Sequence, residues 1–143
     1  MMIVPYRQAY LRQVVELWQR CDLTVPWNNP YQDIERKVCH SPDKFLIGVV
    51  DDSVIASVMY DYDGHRGTVY YLAVEPKLQG RGFGKQLMAE VESRLRKEGC
   101  AKLNLMVRTS NSRVLAFYQR LGYVEDKVVN LGKRLSPPDK PYE

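Results

Sequence analysis

Cysteine is scarce in this chain. Cys21, Cys39 and Cys100 are odd in number, widely spaced and free of any C-x-x-C pair. That pattern argues against a disulfide framework and for a reducing cytoplasm. Histidine is scarcer still, with only His40 and His65, so no zinc or iron constellation is available and no metal is expected; the Cys39-His40 pair stands isolated. No signal peptide and no apolar run long enough to span a bilayer is present, so a soluble protein that stays inside the cell, with no membrane partner, is expected. Lysine and arginine are scattered rather than run together, and no RNP-like aromatic motif appears. The net charge of +4 therefore suits an anionic ligand better than nucleic acid. Repeats, linkers and a second core are also lacking.

What is present suffices for one domain over residues 1–143. At 45% hydrophobic and 27% charged residues, the chain can bury a core without disulfides or metal. Ile3 to Tyr6 reads as a short strand, and Leu11, Val14, Val15 and Trp18 mark one face of a helix over about 8–20. Pro26, Asn28, Asn29 and Pro30 break the chain into a loop holding Trp27, and a second helix covers Tyr31 to Cys39. Phe45 to Val50 and Val54 to Tyr60 form a hairpin across Asp51-Asp52-Ser53, and a turn at Tyr62 to Gly67 leads into a strand over Thr68 to Val74. Leu87, Met88, Val91 and Leu95 then recur at helical spacing, ending at Gly99.

Leu103 to Val107 reads as a strand parallel to the one before the helix, because a strand–helix–strand crossover of this length implies a parallel pair. Ser110 or Asn111 caps a further helix with an apolar face of Val114, Leu115, Phe117, Tyr118 and Leu121, stopped by Gly122. Tyr123 to Val124 and Val128 to Leu131 look like closing strands, and a Pro-rich tail begins at about 136, marked by Pro137, Pro138 and Pro141. The fold class is α/β (α+β) with a mixed sheet.

The segment Gln79-Gly80-Arg81-Gly82-Phe83-Gly84-Lys85 joins the strand ending at Val74 to the long helix. A glycine-rich turn there exposes backbone N–H groups at the positive end of the helix dipole and binds phosphate. Two nucleotide motifs fail. A Walker A loop needs Ser or Thr after Gly84-Lys85, where Gln86 stands, and a Rossmann fingerprint needs a third glycine where Lys85 stands.

What fits is Gln79-x-x-Gly82-x-Gly84, in order with Leu72-Ala73-Val74-Glu75-Pro76 before it and with Val107-Arg108-Thr109-Ser110-Asn111 and Ala116-Phe117-Tyr118-Gln119-Arg120-Leu121-Gly122-Tyr123 after it. Across these blocks, roughly the second half of the chain, the sequence resembles the GCN5-related N-acetyltransferases (GNAT), whose acetyl-CoA loop reads Q/R-x-x-G-x-G/A. With Pro26-Trp27-Asn28 and Asp63-Gly64-His65-Arg66-Gly67, it looks closest to the small bacterial YpeA-type acetyltransferases.

The resemblance implies a GNAT-like mixed central sheet flanked by helices and an acetyl-CoA-dependent transfer of acetyl to a primary amine, with acetyl-CoA as cosubstrate and a small-molecule or peptide amine as acceptor. It implies that the backbone of Leu72, Ala73 and Val74 pairs with the pantetheine arm, that N–H groups from Gln79 through Lys85 hold the pyrophosphate, with Gly82 and Gly84 allowing close approach and positive φ, and that Asn111 contacts the cofactor. Arg81 and Lys85 add charge at the rim. Tyr118 is expected to protonate the departing thiolate, and a main-chain N–H near Val74 to stabilise the oxyanion. Arginine-rich flanks and a free cysteine do not suggest a covalent acetyl-enzyme, so attack is direct. A non-catalytic acyl-CoA-binding sensor on the same scaffold is the alternative; it would not need Tyr118. Homodimers are common in such folds, and a second copy stays open as a partner.

The general base stays unassigned. Histone-type members carry a glutamate where this chain has Thr68, and ribosomal-protein N-terminal acetyltransferases carry one where it has Met106. Glu75, Asp61, Asp63, His65, Glu35 or a water chain remain. By analogy with the family, the acceptor site forms from the first two helices and the Trp27 loop, where Asp33 and Glu35 could attract a cationic amine.

Overall fold

Alternation along Phe45 to Val50 sends Phe45, Ile47 and Val49 to one face of a sheet and Leu46 to the other, and all four are buried. A strand apolar on both faces must be covered on both, and the computed structural model shows helices doing so. It describes residues 1–139. The strands are β1 (Met2–Pro5), β2 (Phe45–Val50), β3 (Ser53–Tyr62), β4 (Gly67–Val74) and β5 (Leu103–Asn104). The helices are α1 (Leu11–Arg20), α2 (Pro30–His40), α3 (Phe83–Lys97) and α4 (Ser112–Arg120). The strands lie in sequence order in one mixed five-stranded sheet, antiparallel except for the parallel β4–β5 pair.

On one face, Val14, Leu17 and Trp18 of α1 and Ile34 of α2 pack on Phe45, Ile47, Met59 and Ala73. On the other, Leu87, Met88, Val91 and Leu95 of α3 and Tyr118 of α4 pack on Leu46, Ala56, Val58 and Val69. The β2–β3 hairpin is tight because Asp51 and Asp52 both adopt positive φ, 48° and 62°. That conformation matches the strand twist in a two-residue loop, and Asp tolerates it better than most residues.

Two sequence expectations are corrected. The fifth strand pairs with β4 only at Gly67↔Leu103 and Thr68↔Asn104, not through Val107. The closing strands at 123–124 and 128–131 do not form: Val124, Val128, Val129 and Leu131 are 77–88% exposed. Their β-branched composition favours a strand only where an edge and a covering layer receive it. Here β5 offers two residues of ladder, and Asp126 is held by the Lys102 ammonium at 2.9 Å and 3.1 Å. The proline tail lacks regular structure through Asp139, which anchors to the loop before α2 by accepting from the Asn29 N–H at 2.8 Å; Pro141 lies outside the described residues.

At the centre of the first layer, Trp18 Nε1 donates to Ser57 Oγ at 2.9 Å, and Ser57 Oγ donates to the Tyr71 carbonyl at 3.0 Å. Both Trp18 and Ser57 are fully buried, so Ser57→Ala would strand the indole N–H. An unfolding free energy lower by about 1–3 kcal/mol is expected, seen as a reduced urea midpoint at unchanged slope.

Candidate functional site

The segment after β4 makes a short 3₁₀ turn at Pro76–Leu78 and then a glycine loop. Gly80 and Gly82 have φ of +80° and +88°, a region open to glycine at little cost. Gly82 is the N-cap of α3, with no side chain to accept from the first turn, and no acidic residue stands there. The first N–H groups of a fifteen-residue helix thus point outward without a capping side chain, as an anion-binding end requires. Gly84 serves differently from the sequence expectation. It has no positive φ; a Cβ there would sit 3.0 Å from the Phe117 ring, so its smallness lets α4 close on α3.

A cleft of about 490 Å³ opens between this loop, β4 and α4. Leu72 and Val74 form one wall, Gln79, Gly80, Gly82, Phe83, Gly84 and Lys85 the loop end, and Phe117 and Tyr118 the α4 side. Among the described residues its lining holds three cations, Lys85, Arg113 and Arg120, and no carboxylate. Tyr118 is buried against the edges of Phe117 and Tyr123, at centroid distances of 5.0 Å and 5.6 Å. Burial pushes its phenol up to about 12, so it holds its proton throughout the neutral range. The Tyr123 hydroxyl donates to Glu92 Oε2 at 2.7 Å.

β4 is bent beside the cleft. Ser57 pairs with Ala73 and Met59 with Tyr70, so Tyr71 and Leu72 together oppose Val58, a β-bulge. Tyr71 takes φ +51°, which costs a non-glycine residue about 1–2 kcal/mol. Its ring stacks on Trp18 at 3.8 Å. Its hydroxyl donates to Asp33 Oδ2 at 2.5 Å and accepts from Asn28 Nδ2 at 3.2 Å. Past the bulge, β4 and the chain beyond β5 no longer pair. The Glu75 N–H donates to Ile55; by the alternation of an antiparallel ladder, the Val74 N–H turns away from β3 toward that opening. The Val74 carbonyl accepts from Gln79 Nε2 at 3.0 Å and Cys21 Sγ at 3.3 Å. Gln79 thereby ties the glycine loop to the strand end.

A glycine loop between a strand and a helix, a bulged strand and a following helix with a buried tyrosine do not by themselves name a family, and comparison narrows the choice. The sequence pattern described as the Acetyltransferase (GNAT) family matches residues 11–123. The chain belongs to that family. It is similar to an acetyltransferase of Yersinia enterocolitica, 46% identical over 91% of this chain and 92% of the relative. In fold it is similar to the ribosomal-protein-S18-alanine N-acetyltransferase of Escherichia coli, with TM-score 0.74 at 23% identity over 88% of this chain and 79% of that one. It is also similar to the PaiA N-acetyltransferase of Thermoplasma acidophilum solved with coenzyme A, with TM-score 0.69 at 18% identity over 90% and 92%.

The GNAT residues expected from sequence gather unevenly. Arg81 is exposed and does not line the cleft. The Ala73 side chain is buried on the α1 face instead. Asn111 caps α4, accepting from the Val114 N–H at 3.2 Å. Asp61, at the end of β3, and Asp63 and His65, in the turn after it, lie beside the start of β4, about 20 Å of strand from Val74. Asp61 is engaged by His40 at 3.0 Å. The N–H groups of Arg66 and His65 hold the Asp63 carboxyl below its usual range. Glu35 is exposed on α2, and Glu75, next to Val74, is paired with Arg20 at 2.7 Å. Trp27, in the loop before α2, is 49% exposed.

Sequence reasoning passed over Arg113 and Arg120 as cleft residues, although their spacing from Phe117 put all three on one face of α4. It also passed over the bulge at Tyr71, which carries no glycine to signal it.

The raised Tyr118 phenol has a consequence for stability. Between pH 10 and about 12 the unfolded chain gives up this proton while the folded chain keeps it; the unfolded state binds fewer protons, so stability falls as pH rises through that window and is untouched below it. Tyr118→Phe should lessen the loss near pH 12 by an amount on the order of 2 kcal/mol, read from urea midpoints between pH 9 and 12.

Proposed function

We propose that this acetyltransferase uses acetyl-CoA and passes the acetyl group to a primary amine by direct attack. The observation that carries the reading is the cleft itself: uncapped N–H groups at the start of α3 and a cationic lining without a carboxylate at one end, and Val74 and the buried Tyr118 at the other. A phosphate-bearing thioester fits that polarity. Its pyrophosphate is assigned to the loop from Gln79 through Lys85, and its pantetheine arm to the outward backbone groups of β4 past the bulge, where an added strand finds open partners. The reading supports roles for Leu72, Ala73 and Val74 through main chain alone, which suits Ala73, whose side chain faces elsewhere. Asn111 acts by fixing the start of α4, and Arg81 contributes charge from outside the cleft.

In the reaction the neutral amine attacks the thioester carbonyl, and the oxyanion takes a hydrogen bond from the Val74 N–H. The C–S bond then breaks as Tyr118 gives its proton to the leaving sulfur. A phenol held near 12 is never lost to ionisation at working pH and regains its proton readily from solvent. The acceptor is assigned to the opposite face of the sheet, where Asp33, Asn28 and Tyr71 form a polar group beneath α2. The amine's proton leaves to Glu75 or to water, since the other carboxylates and His65 lie at the far end of β4 or on the exposed face of α2.

Acetyl-CoA should bind at micromolar or tighter affinity by calorimetry, and absence of binding would overturn the reading. With a panel of amines, amino acids and peptides, free-thiol release should identify the acceptor. Binding without thiol release on any of them would favour an acyl-CoA sensor. Tyr118→Phe should slow turnover about a hundred-fold at nearly unchanged acetyl-CoA affinity, and unchanged turnover would remove Tyr118 from the mechanism.

A further inference from the structure

The chain after α4 leaves its apolar residues in water. Val124, Val128, Val129, Leu131 and Leu135 are 77–95% exposed. Single hydrophobic residues scattered over a surface need no explanation, but five on one short segment form a patch. The segment is held at both ends, by the Lys102 ammonium on Asp126 at 2.9 Å and by the Asn29 N–H on Asp139 at 2.8 Å. Between those anchors its backbone is unused. Among the described residues, no main-chain group from Val129 to Pro138 joins another main-chain group in a hydrogen bond. A β-branched run with a free row of N–H and C=O groups is a template for one more strand. Within its own chain the adjoining edge strand is β5, whose ladder is two residues long.

The order of charges along the segment says which strand fits. Acids stand at its start, Glu125 and Asp126, and bases at its end, Lys133 and Arg134. Such a segment is complementary to itself when reversed. We propose that residues 124–135 are the interface of a homodimer in which two copies of the segment pair antiparallel, with the two-fold axis at Val129. The ladder then sets Val129 against its counterpart, with Leu131 of each protomer diagonal to it on the same face. Glu125 of one protomer opposes Lys133 of its partner, and Asp126 lies diagonal to Arg134. A two-fold contact is isologous, so each complementary pair occurs twice. Parallel pairing in register would set acid against acid and base against base, which is unfavourable. The five apolar side chains present on the order of 500 Å² in each copy, so pairing withdraws about 1,000 Å², the lower bound of a specific interface. None of these residues lines the cleft, and the interface stands apart from the acetyl-CoA reading.

The test is sedimentation equilibrium of the full chain from micromolar to submillimolar concentration. Wild type should dimerise with a dissociation constant in the micromolar range. Val129→Lys sets two ammonium groups at the axis and should weaken the dimer about a hundred-fold. Glu125→Lys and Lys133→Glu should each weaken self-association about ten-fold, since each sets like charges opposite one another twice. An equimolar mixture of those two variants should dimerise as wild type does, because opposite charges then meet at both places. All three positions are exposed, and unchanged circular dichroism and urea midpoints establish that the variants fold. A wild type that stays monomeric throughout overturns the interface. So does a dimer indifferent to Val129→Lys, whose contact must lie elsewhere. Charge variants that weaken the dimer but are not restored by mixing overturn the antiparallel pairing. Acetyl-CoA plays no part in the readout, so failure of that reading leaves this one standing.

Discussion

The bulge at Tyr71 is the constraint on which the rest of this structure depends. A tyrosine in the left-handed region is unfavourable alone, and it persists because four contacts fix it: the stack on Trp18, the bonds to Asp33 and Asn28, and the Ser57 hydroxyl on its carbonyl. Those contacts come from α1, α2, the loop between them and β3, so the first layer of the protein holds the bend in β4. The bend ends the β4–β5 ladder after two pairs. Backbone groups that a regular sheet would consume are left facing an opening.

That opening has two sides of different chemistry. Toward α3 and α4 the walls are apolar along β4 and cationic at the ends, with helix N–H groups aimed into the cleft. Toward α1 and α2 stand the Asp33 carboxylate with its amide and phenol donors and the Arg20–Glu75 pair. An anionic donor and a cationic acceptor would be sorted to opposite faces by charge before either reached the sheet. In the proposed reaction they meet where the Val74 N–H and Tyr118 stand, so binding and orientation supply much of the catalysis.

Burial sets the character of Tyr118. The same packing that lets α4 sit on α3, through the missing side chain at Gly84, removes the phenol from water and keeps it protonated. One glycine thus links helix packing to the protonation state of the group assigned as acid. In the sequence motif that glycine reads as part of the phosphate loop, and in the fold it is a packing residue.

The sequence by itself determined the elements that depend on local periodicity: the amphipathic faces of α1, α3 and α4, the β2–β3 hairpin, and the glycine turn from Gln79 to Lys85 between a strand and a helix. Glycines, caps and apolar spacing act over a few residues, so they are legible without the fold. It also placed Tyr118 and Asn111 in ordered blocks whose family resemblance is borne out by the match over residues 11–123. Tertiary structure alone decided the rest. The strand propensity of 123–131 found no edge to pair with. The bulge at Tyr71 is held by residues fourteen to fifty-three positions away, and the base candidates separated only once β4 was laid out as a strand with two distant ends. Arg113 and Lys85 line one cleft because two helices run side by side, a relation between surfaces that no stretch of either helix encodes.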